Sequence, residues 1–127
     1  MNSYQDFFQK NPNGVLGTVE NGEARTRTFQ MLWIEGDRLY FCTGNKKPVY
    51  RQLKENPKIS FTAMNSNTLE SVSVSGTAVF VDDINGKRRA LEENPGIQKI
   101  YHTPDNPEFE LLYLEVSNVS SFIYSNK

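Results

Sequence analysis

The sequence contains few of the residues from which metal sites and disulfides are built. Its 127 residues include one cysteine, Cys42, and one histidine, His102. A single cysteine excludes an internal disulfide and fits a reducing compartment. His102 has no second histidine, cysteine or acidic cluster at ligand spacing, so we expect no metal site.

Long apolar runs and an excess of basic residues are absent as well. No stretch approaches the ~20 apolar residues that span a bilayer, and residues 1–10 lack the apolar core of a signal peptide. Fourteen basic residues against fifteen acidic ones give a net charge of −1, whereas a general nucleic-acid binder carries a basic face. The sequence therefore predicts a cytoplasmic protein that acts neither at a membrane nor on nucleic acid.

What is present indicates a single small domain, rich in β-strands, over residues 1–127. Hydrophobic residues make up 37% of the chain and aromatic residues 12%, which suffices for one core. Turn signals such as Asn21-Gly22 and Glu35-Gly-Asp37 separate short alternating segments. We count six or seven strands with antiparallel connections and three short helices. This many strands in so short a chain favours a small barrel over an open α/β sheet.

Several element boundaries follow from local signals. Ser3 is expected to cap a first helix, and Gly76 marks a bulge or a close backbone approach within its strand. The other predicted elements are a helix from about Pro48 to Asn56, a helix from about Ile84 to Asn94 that PGIQKIY continues, and two closing strands at 111–116 and 120–125.

Basic side chains gather where the second helix begins. Lys46 and Lys47 directly precede it, although a helix N-terminus favours an anion. A turn at Glu35-Gly-Asp37 would place Arg27 opposite about residue 45. Together with the Thr43 hydroxyl, these groups would suit a phosphate. The alternative is a charged, solvated strand edge with lysines that reach into water.

Five segments, which cover most of the chain, occur in the order typical of one known family. They are GVLGTVENGEARTRTFQ, LYFCTGNKKPVYRQLKENPKISF, SVSGTAVFVDD, ALEENPGIQKIY and FELLYLEV. The chain resembles short bacterial members of the pyridoxamine 5′-phosphate oxidase-like FMN-binding split-barrel family. The resemblance implies a mainly β fold, a six- to seven-stranded antiparallel split barrel with short flanking helices. It also implies a homodimer with FMN at the subunit interface and an FMN-dependent oxidoreductase activity, for which no catalytic residue is identifiable.

The resemblance also implies a set of cofactor-binding residues. Arg27, Lys47 and the neighbouring Lys46 would bind the phosphate with help from Thr43. The strand formed by Arg27, Thr28, Phe29 and Gln30 would meet the isoalloxazine ring with its backbone edge, and the backbone of Cys42 would contact the cofactor. The Cys42 side chain itself fits a small buried apolar group better than a redox thiol. Gln52 and Leu53 are interpreted as packing and surface residues, and Tyr101, Tyr113 and Tyr124 as candidates to approach the ring.

Two departures from the family pattern bear on the substrate. Ser71 and Ser73 stand where short relatives often have a tryptophan and an arginine, and the sequence ends soon after FIYSN. We therefore expect a substrate other than pyridoxamine 5′-phosphate, with NAD(P)H as one reductant to consider. The alternative function is a non-catalytic module that holds flavin, haem or another planar ligand.

Overall fold

The computed structural model describes residues 3–123, which form seven antiparallel strands and four short helices. The strands are β1 (Asn13–Glu20), β2 (Glu23–Gln30), β3 (Trp33–Glu35), β4 (Arg38–Gly44), β5 (Lys58–Met64), β6 (Glu70–Val81) and β7 (Phe109–Ile123). The helices are α1 (Tyr4–Lys10), α2 (Pro48–Glu55), α3 (Ile84–Glu93) and α4 (Pro95–Tyr101). The strands form one sheet in the order β2-β1-β5-β6-β7-β4-β3. The expected mainly β, split-barrel fold is confirmed.

Local signals explain most of these boundaries. The Ser3 hydroxyl caps α1 by accepting a hydrogen bond from the Asp6 backbone N–H at 3.1 Å. Asn21 and Gly22 have φ angles of 52° and 78°, which a type I′ turn between β1 and β2 requires. Pro48 begins α2, where its missing N–H leaves no helical hydrogen bond unmade.

The structure has one helix more than the sequence indicated, because α3 and α4 are separate. The backbone N–H of Asn94 donates to Leu91, and a new helix begins at Pro95. Proline lacks the N–H that would continue the hydrogen-bond ladder of α3, so the chain stops and restarts here.

The end of the sheet also differs from the prediction, since one strand replaces the two that were expected. Between Ser75 and Gly76 the pairing of β6 with β7 shifts by one residue, which leaves Ser117 as an extra residue on β7. The Ser117 hydroxyl donates to the Ser75 carbonyl at 3.2 Å. A bulge in β7 thus absorbs the polar stretch without ending the strand. Of the two predicted roles of Gly76, a bulge or a close backbone approach, the structure shows the bulge on the opposite strand and the close approach at Gly76 itself. Residues 124–127, which include Tyr124, lie outside the described residues.

The core consists of two apolar clusters. The larger one lies on the inner face of the sheet, with Phe8, Leu16, Phe41, Phe61 and Leu114 among its members. The second lies beside α3 and α4, with Trp33, Leu91, Tyr101, Phe109 and Leu111 among its members.

The sheet closes where β2 approaches β4, and the ring centroids of Phe29 and Phe41 lie 6.0 Å apart. The predicted pairing of Arg27 with about residue 45 is wrong, because β2 pairs with β1 and Arg27 lies opposite Leu16. The turn at residues 35–37 does form, but β3 contributes only three residues to its hairpin with β4. The preceding Met31 N–H donates to the Pro12 carbonyl at 2.8 Å, so the chain has already left β4 there.

Candidate functional site

An open cleft is lined by residues of three successive strands of the sheet, β2, β1 and β5. It has a volume of about 670 Å³ and a mostly apolar lining, within the range of about 300–1,000 Å³ that is usual for small-molecule sites. Its lining residues are Asn13, Gly14, Val15, Thr28, Phe29, Gln30, Thr62, Ala63 and Met64. Three residues predicted to meet a flavin ring, Thr28, Phe29 and Gln30, therefore share one surface.

Arg27, the residue before this group, lies against α2. It is half-buried, and its guanidinium donates to Gln52 Oε1 at 2.6 Å and to the Leu16 carbonyl at 3.2 Å. Both acceptors are neutral, and Arg27 forms no ion pair with any residue between 3 and 123. Burial lowers the pKa of Arg27, as expected for a desolvated cation. An arginine nevertheless stays protonated in proteins, so its charge is uncompensated.

Gln52 connects Arg27 to a group of polar residues on β1. Its Oε1 also accepts a hydrogen bond from the Thr18 hydroxyl at 2.7 Å, and its Nε2 donates to Glu20 at 3.4 Å. Glu20 pairs with Arg51 at 2.8 Å and with Arg25 at 3.3 Å. Hydrogen bonds from Arg51 and Arg25 hold the pKa of Glu20 below its usual value. Thr18, Glu20, Arg27 and Gln52 thus form one polar cluster between α2 and the strands β1 and β2.

Thr43 provides a buried hydroxyl near the same place. Its side chain is 3% exposed, and its Oγ1 has no hydrogen-bond partner within residues 3–123. Alternation along β4 puts Thr43 on the same face as Phe41, whose ring contacts Phe29. The sheet order makes β2 and β4 run in opposite directions, so Arg27 and Thr43 lie on the same side of that contact. Because an unpaired buried hydroxyl costs free energy, this position fits the oxygen of a ligand.

The two lysines at the start of α2 have different surroundings. Lys46 is exposed and its ammonium pairs with Glu108 at 3.1 Å. Lys47 is the N-cap residue of α2, is exposed, and forms no ion pair in the described part of the chain. It lies five residues before Gln52, about 7.5 Å along the helix. The unpaired lysine is therefore on the helix that Arg27 contacts.

The Cys42 thiol lies on the opposite face of β4, beside α4. Burial raises its pKa to about 12, and the nearby Lys47 lowers it by a smaller amount. Tyr101 lies close by, since a Cβ on Gly44 would be 2.8 Å from the Tyr101 hydroxyl oxygen. The thiol is thus a protonated, largely buried group. Neither Tyr101 nor Tyr113 lines the cleft.

Gln52 is the polar residue that the sequence interpretation missed. It is 4% exposed and lies on the buried face of α2 with Val49 and Leu53. The signal was present, because positions 49, 52 and 53 follow the spacing of an apolar helix face. A glutamine at a buried position needs hydrogen-bond partners.

The described residues provide neither a metal cluster nor a long apolar helix. No three His, Cys, Asp or Glu side chains between residues 3 and 123 are placed to hold a metal ion. No helix in that range is sufficiently long and apolar to cross a bilayer.

Comparison with known proteins agrees with this architecture. A NimC/NimA family protein from Clostridium acetobutylicum is 23% identical with a TM-score of 0.78, and the match covers 94% of this chain and 88% of the other. General Stress Protein 26 from Bacillus anthracis is 19% identical with a TM-score of 0.81, over 92% and 88% of the two chains. An F420 reductase is 19% identical with a TM-score of 0.72, over 94% and 98%. The TM-scores of these matches establish the fold alone. No curated protein matches the chain.

The family is established by the sequence itself. The profile described as pyridoxamine 5′-phosphate oxidase matches residues 2–122, which is nearly the whole chain. The chain therefore belongs to the pyridoxamine 5′-phosphate oxidase family.

Proposed function

We propose that this protein binds FMN between the two subunits of a homodimer and acts as an FMN-dependent oxidoreductase. The observation that carries the proposal is Arg27, a half-buried guanidinium with two neutral acceptors and no ion pair among the described residues. Such a group favours an anionic ligand, and arginine forms strong charge-assisted hydrogen bonds with phosphate.

The residues around the start of α2 fit the phosphate of FMN. Arg27 and Lys47 supply positive charge, and the buried Thr43 hydroxyl lacks a partner in the described structure. The first turn of α2 adds little, because Pro48 has no N–H and the N–H groups of Lys47 and Tyr50 already donate to the carbonyls of Gly44 and Lys47. Lys46 contributes less, because Glu108 already neutralises it.

The cleft fits the ring of FMN. Its apolar walls, which include Val15, Phe29 and Met64, would exclude water from a planar aromatic ligand. β2 is an edge strand of the sheet and leaves backbone groups of Thr28–Gln30 free on one side. When bound, FMN supplies the hydride or electron transfer, while the protein binds and orients it.

One observation favours the second candidate, a non-catalytic flavin-binding module. No titratable side chain is among the residues that line the cleft, so the chain described here offers no proton donor next to the ring. Anaerobic mixing with NADH or NADPH separates the two functions. Bleaching of the flavin absorbance supports an oxidoreductase that uses this reductant, whereas stable absorbance with every reductant tried supports the module.

The proposal is tested first by the visible absorption spectrum of the purified protein and by identification of any released chromophore. The apoprotein is then titrated with FMN and with riboflavin, which lacks the phosphate. Arg27→Ala and Lys47→Ala should each weaken FMN binding by about 1.5–3 kcal/mol, the range for hydrogen bonds to charged groups. Riboflavin binding should be nearly unchanged.

Lys54→Ala is a matched control, because it removes a cation from the exposed side of the same helix. Lys54 lies over the rings of Tyr50 and Phe80, at 5.5 and 5.1 Å from their centroids, so its loss should leave FMN affinity unchanged. Equal weakening of FMN and riboflavin in Arg27→Ala would show that the phosphate assignment is wrong. A protein that binds neither ligand would refute the proposed function.

A further inference from the structure

We infer that Gln52 is a positioning residue for the phosphate of FMN. It holds the Arg27 guanidinium through a neutral oxygen and keeps the Glu20 carboxylate on its other side, so that the charge of Arg27 stays available. The inference rests on the proposed function, because it assigns a role to a residue behind the phosphate-binding side chains.

The contacts of Gln52 define the orientation of its amide. Its Oε1 accepts from Arg27 at 2.6 Å and from Thr18 at 2.7 Å, and both partners can donate to it. Its Nε2 faces Glu20 Oε1 at 3.4 Å. A flipped amide would place its NH₂ group against the Arg27 donor and its oxygen against a carboxylate. The network is therefore satisfied in one orientation.

Burial fixes this arrangement. Gln52 is 4% exposed and Thr18 is 3% exposed, so neither side chain can exchange its partner for water. The Leu16 carbonyl provides the second fixed acceptor for Arg27, at 3.2 Å. Two fixed acceptors limit how far the guanidinium can swing, and an oriented guanidinium binds phosphate with a smaller loss of rotamer entropy.

The charges of the neighbouring residues are segregated by Gln52. The arginines at positions 25 and 51 both pair with Glu20, whereas Arg27 reaches the same group of residues only through the Gln52 amide. A carboxylate at position 52 would form an ion pair with Arg27 in place of the neutral hydrogen bond. That ion pair would compete with the phosphate, which makes charge at position 52 the property to test.

Two substitutions separate charge from packing. Gln52→Glu keeps the shape and adds a negative charge next to Arg27, whereas Gln52→Met keeps the length and removes both hydrogen-bonding groups. We expect FMN affinity to fall about tenfold or more in Gln52→Glu and by a smaller factor in Gln52→Met. Riboflavin affinity should change by less than about twofold in both. The measured quantity is the ratio of the two dissociation constants, obtained by flavin fluorescence titration.

The melting temperature, measured with and without inorganic phosphate at matched ionic strength, gives a readout that needs no flavin. Phosphate should raise the melting temperature of the wild-type protein, and this rise should be lost in Gln52→Glu but retained in Lys54→Gln. A purely structural role for Gln52 would lower the melting temperature without changing the FMN to riboflavin ratio or the rise with phosphate.

The outcomes distinguish this inference from the proposed function. If Gln52→Glu binds FMN as tightly as the wild type, the positioning role is wrong and the FMN proposal stands. If the wild type binds no FMN, the proposed function fails, and the phosphate melts decide the inference alone. The inference is supported if phosphate raises the melting temperature of the wild type but not that of Gln52→Glu. It is overturned if phosphate raises both melting temperatures equally or raises neither.

Discussion

Near α2, the basic side chains divide into cations with and without a carboxylate partner. Glu20 pairs with Arg51 and with Arg25, Glu23 also pairs with Arg25, and Glu108 pairs with Lys46. Exposed ion pairs of this kind stabilise a fold by about 0–1 kcal/mol, so their larger effect is to occupy the carboxylates. Arg27, Lys47 and Lys54 have no carboxylate partner among the described residues. Lys54 lies over the rings of Tyr50 and Phe80, so Arg27 and Lys47 are the cations of the candidate phosphate site.

Cys42 permits a prediction of pH dependence. Burial raises its pKa from the ordinary value of 9.0 to about 12 in the folded protein. Above pH 9 the unfolded chain therefore loses this proton while the folded chain keeps it, which favours unfolding. Stability that is fully present below pH 9 should be lost between about pH 9 and pH 12, at no more than about 1.4 kcal/mol per pH unit.

The measurement compares the melting temperatures of the wild type and of Cys42→Ala over this pH range. Other groups also titrate there, but they are common to both proteins, so the difference reports the thiol. The wild type should lose its advantage as the pH rises. Parallel curves would contradict a raised pKa for Cys42, and so would rapid alkylation of the folded protein at about pH 8.

Two elements position the site, α2 and the bulged strand β7. Val49 and Leu53 anchor α2 in the larger core cluster, and this fixes Lys47 and Gln52 relative to β2 and β4. β7 pairs with both β4 and β6. The bulge opposite Gly76 lets β7 continue along β6 beyond Glu115, which is paired with Arg38, the first residue of β4. Without that continuation, β6 would lose its partner along Glu70–Ser75.

Gly76 is predicted to be required for this pairing. A Cβ at position 76 would lie 1.8 Å from the Glu115 carbonyl oxygen, so a side chain cannot fit without moving the β7 backbone. Gly76→Ala should lower the free energy of unfolding by about 1–3 kcal/mol or more, as overpacking does. Chemical denaturation measures the change.

Gly17 on β1 provides the matched control. A Cβ there would find its nearest neighbour, an atom of Ser60, at 3.9 Å, which is ordinary contact. Gly17→Ala should therefore change stability by no more than about 0.5 kcal/mol. Similar losses in the two variants would show that the close approach at the bulge is not the cause of the loss, since alanine has the higher strand propensity at both positions.

The whole molecule exposes one apolar and hydroxyl-rich face of its sheet. Met64, Ser71 and Phe122 lie side by side on β5, β6 and β7, and Met64 and Phe122 are 56% and 63% exposed. Ser73 lies on the same face and its hydroxyl is 2.7 Å from that of Thr62. The two serine side chains are small and leave this face low and open.

The proposed homodimer is expected to use this face, since it adjoins the cleft through Met64. Light scattering on the wild type should give twice the 14.5 kDa of one chain. Met64→Glu puts a charge in the proposed interface and should shift the protein toward a monomer and weaken FMN binding. Ile100→Glu is the control, because Ile100 is equally exposed, at 61%, on α4. A monomeric wild type, or identical behaviour of the two variants, would refute this interface.

The sequence by itself determined the features that depend on neighbouring residues. The Asn21-Gly22 turn, the Ser3 cap and the start of α2 at Pro48 all follow from signals within a few positions, and Gly76 marked one side of the irregular pairing. The number of short strands favoured a small barrel, and the order of motifs, through its resemblance to one family, implied the split barrel. The candidate residues on β2 and at the start of α2 came from the same motifs.

Tertiary structure alone decided which of these residues are in contact and which charged side chains have no ion-pair partner among the described residues. Arg27 contacts Gln52 across 25 residues of sequence, and Thr18 contacts it across 34. Local periodicity carries no information at such separations, which is why the pairing of Arg27 with residue 45 was wrong. The spacing within α2 indicated that Gln52 is buried but could not identify its partners. The path of β7 past Ser117 was likewise hidden, because a polar residue there forms a bulge only when β6 lies beside it. Closure of the sheet brings Arg27 and Thr43 to the same side of one aromatic contact and leaves the Arg27 charge without a carboxylate partner in the described chain.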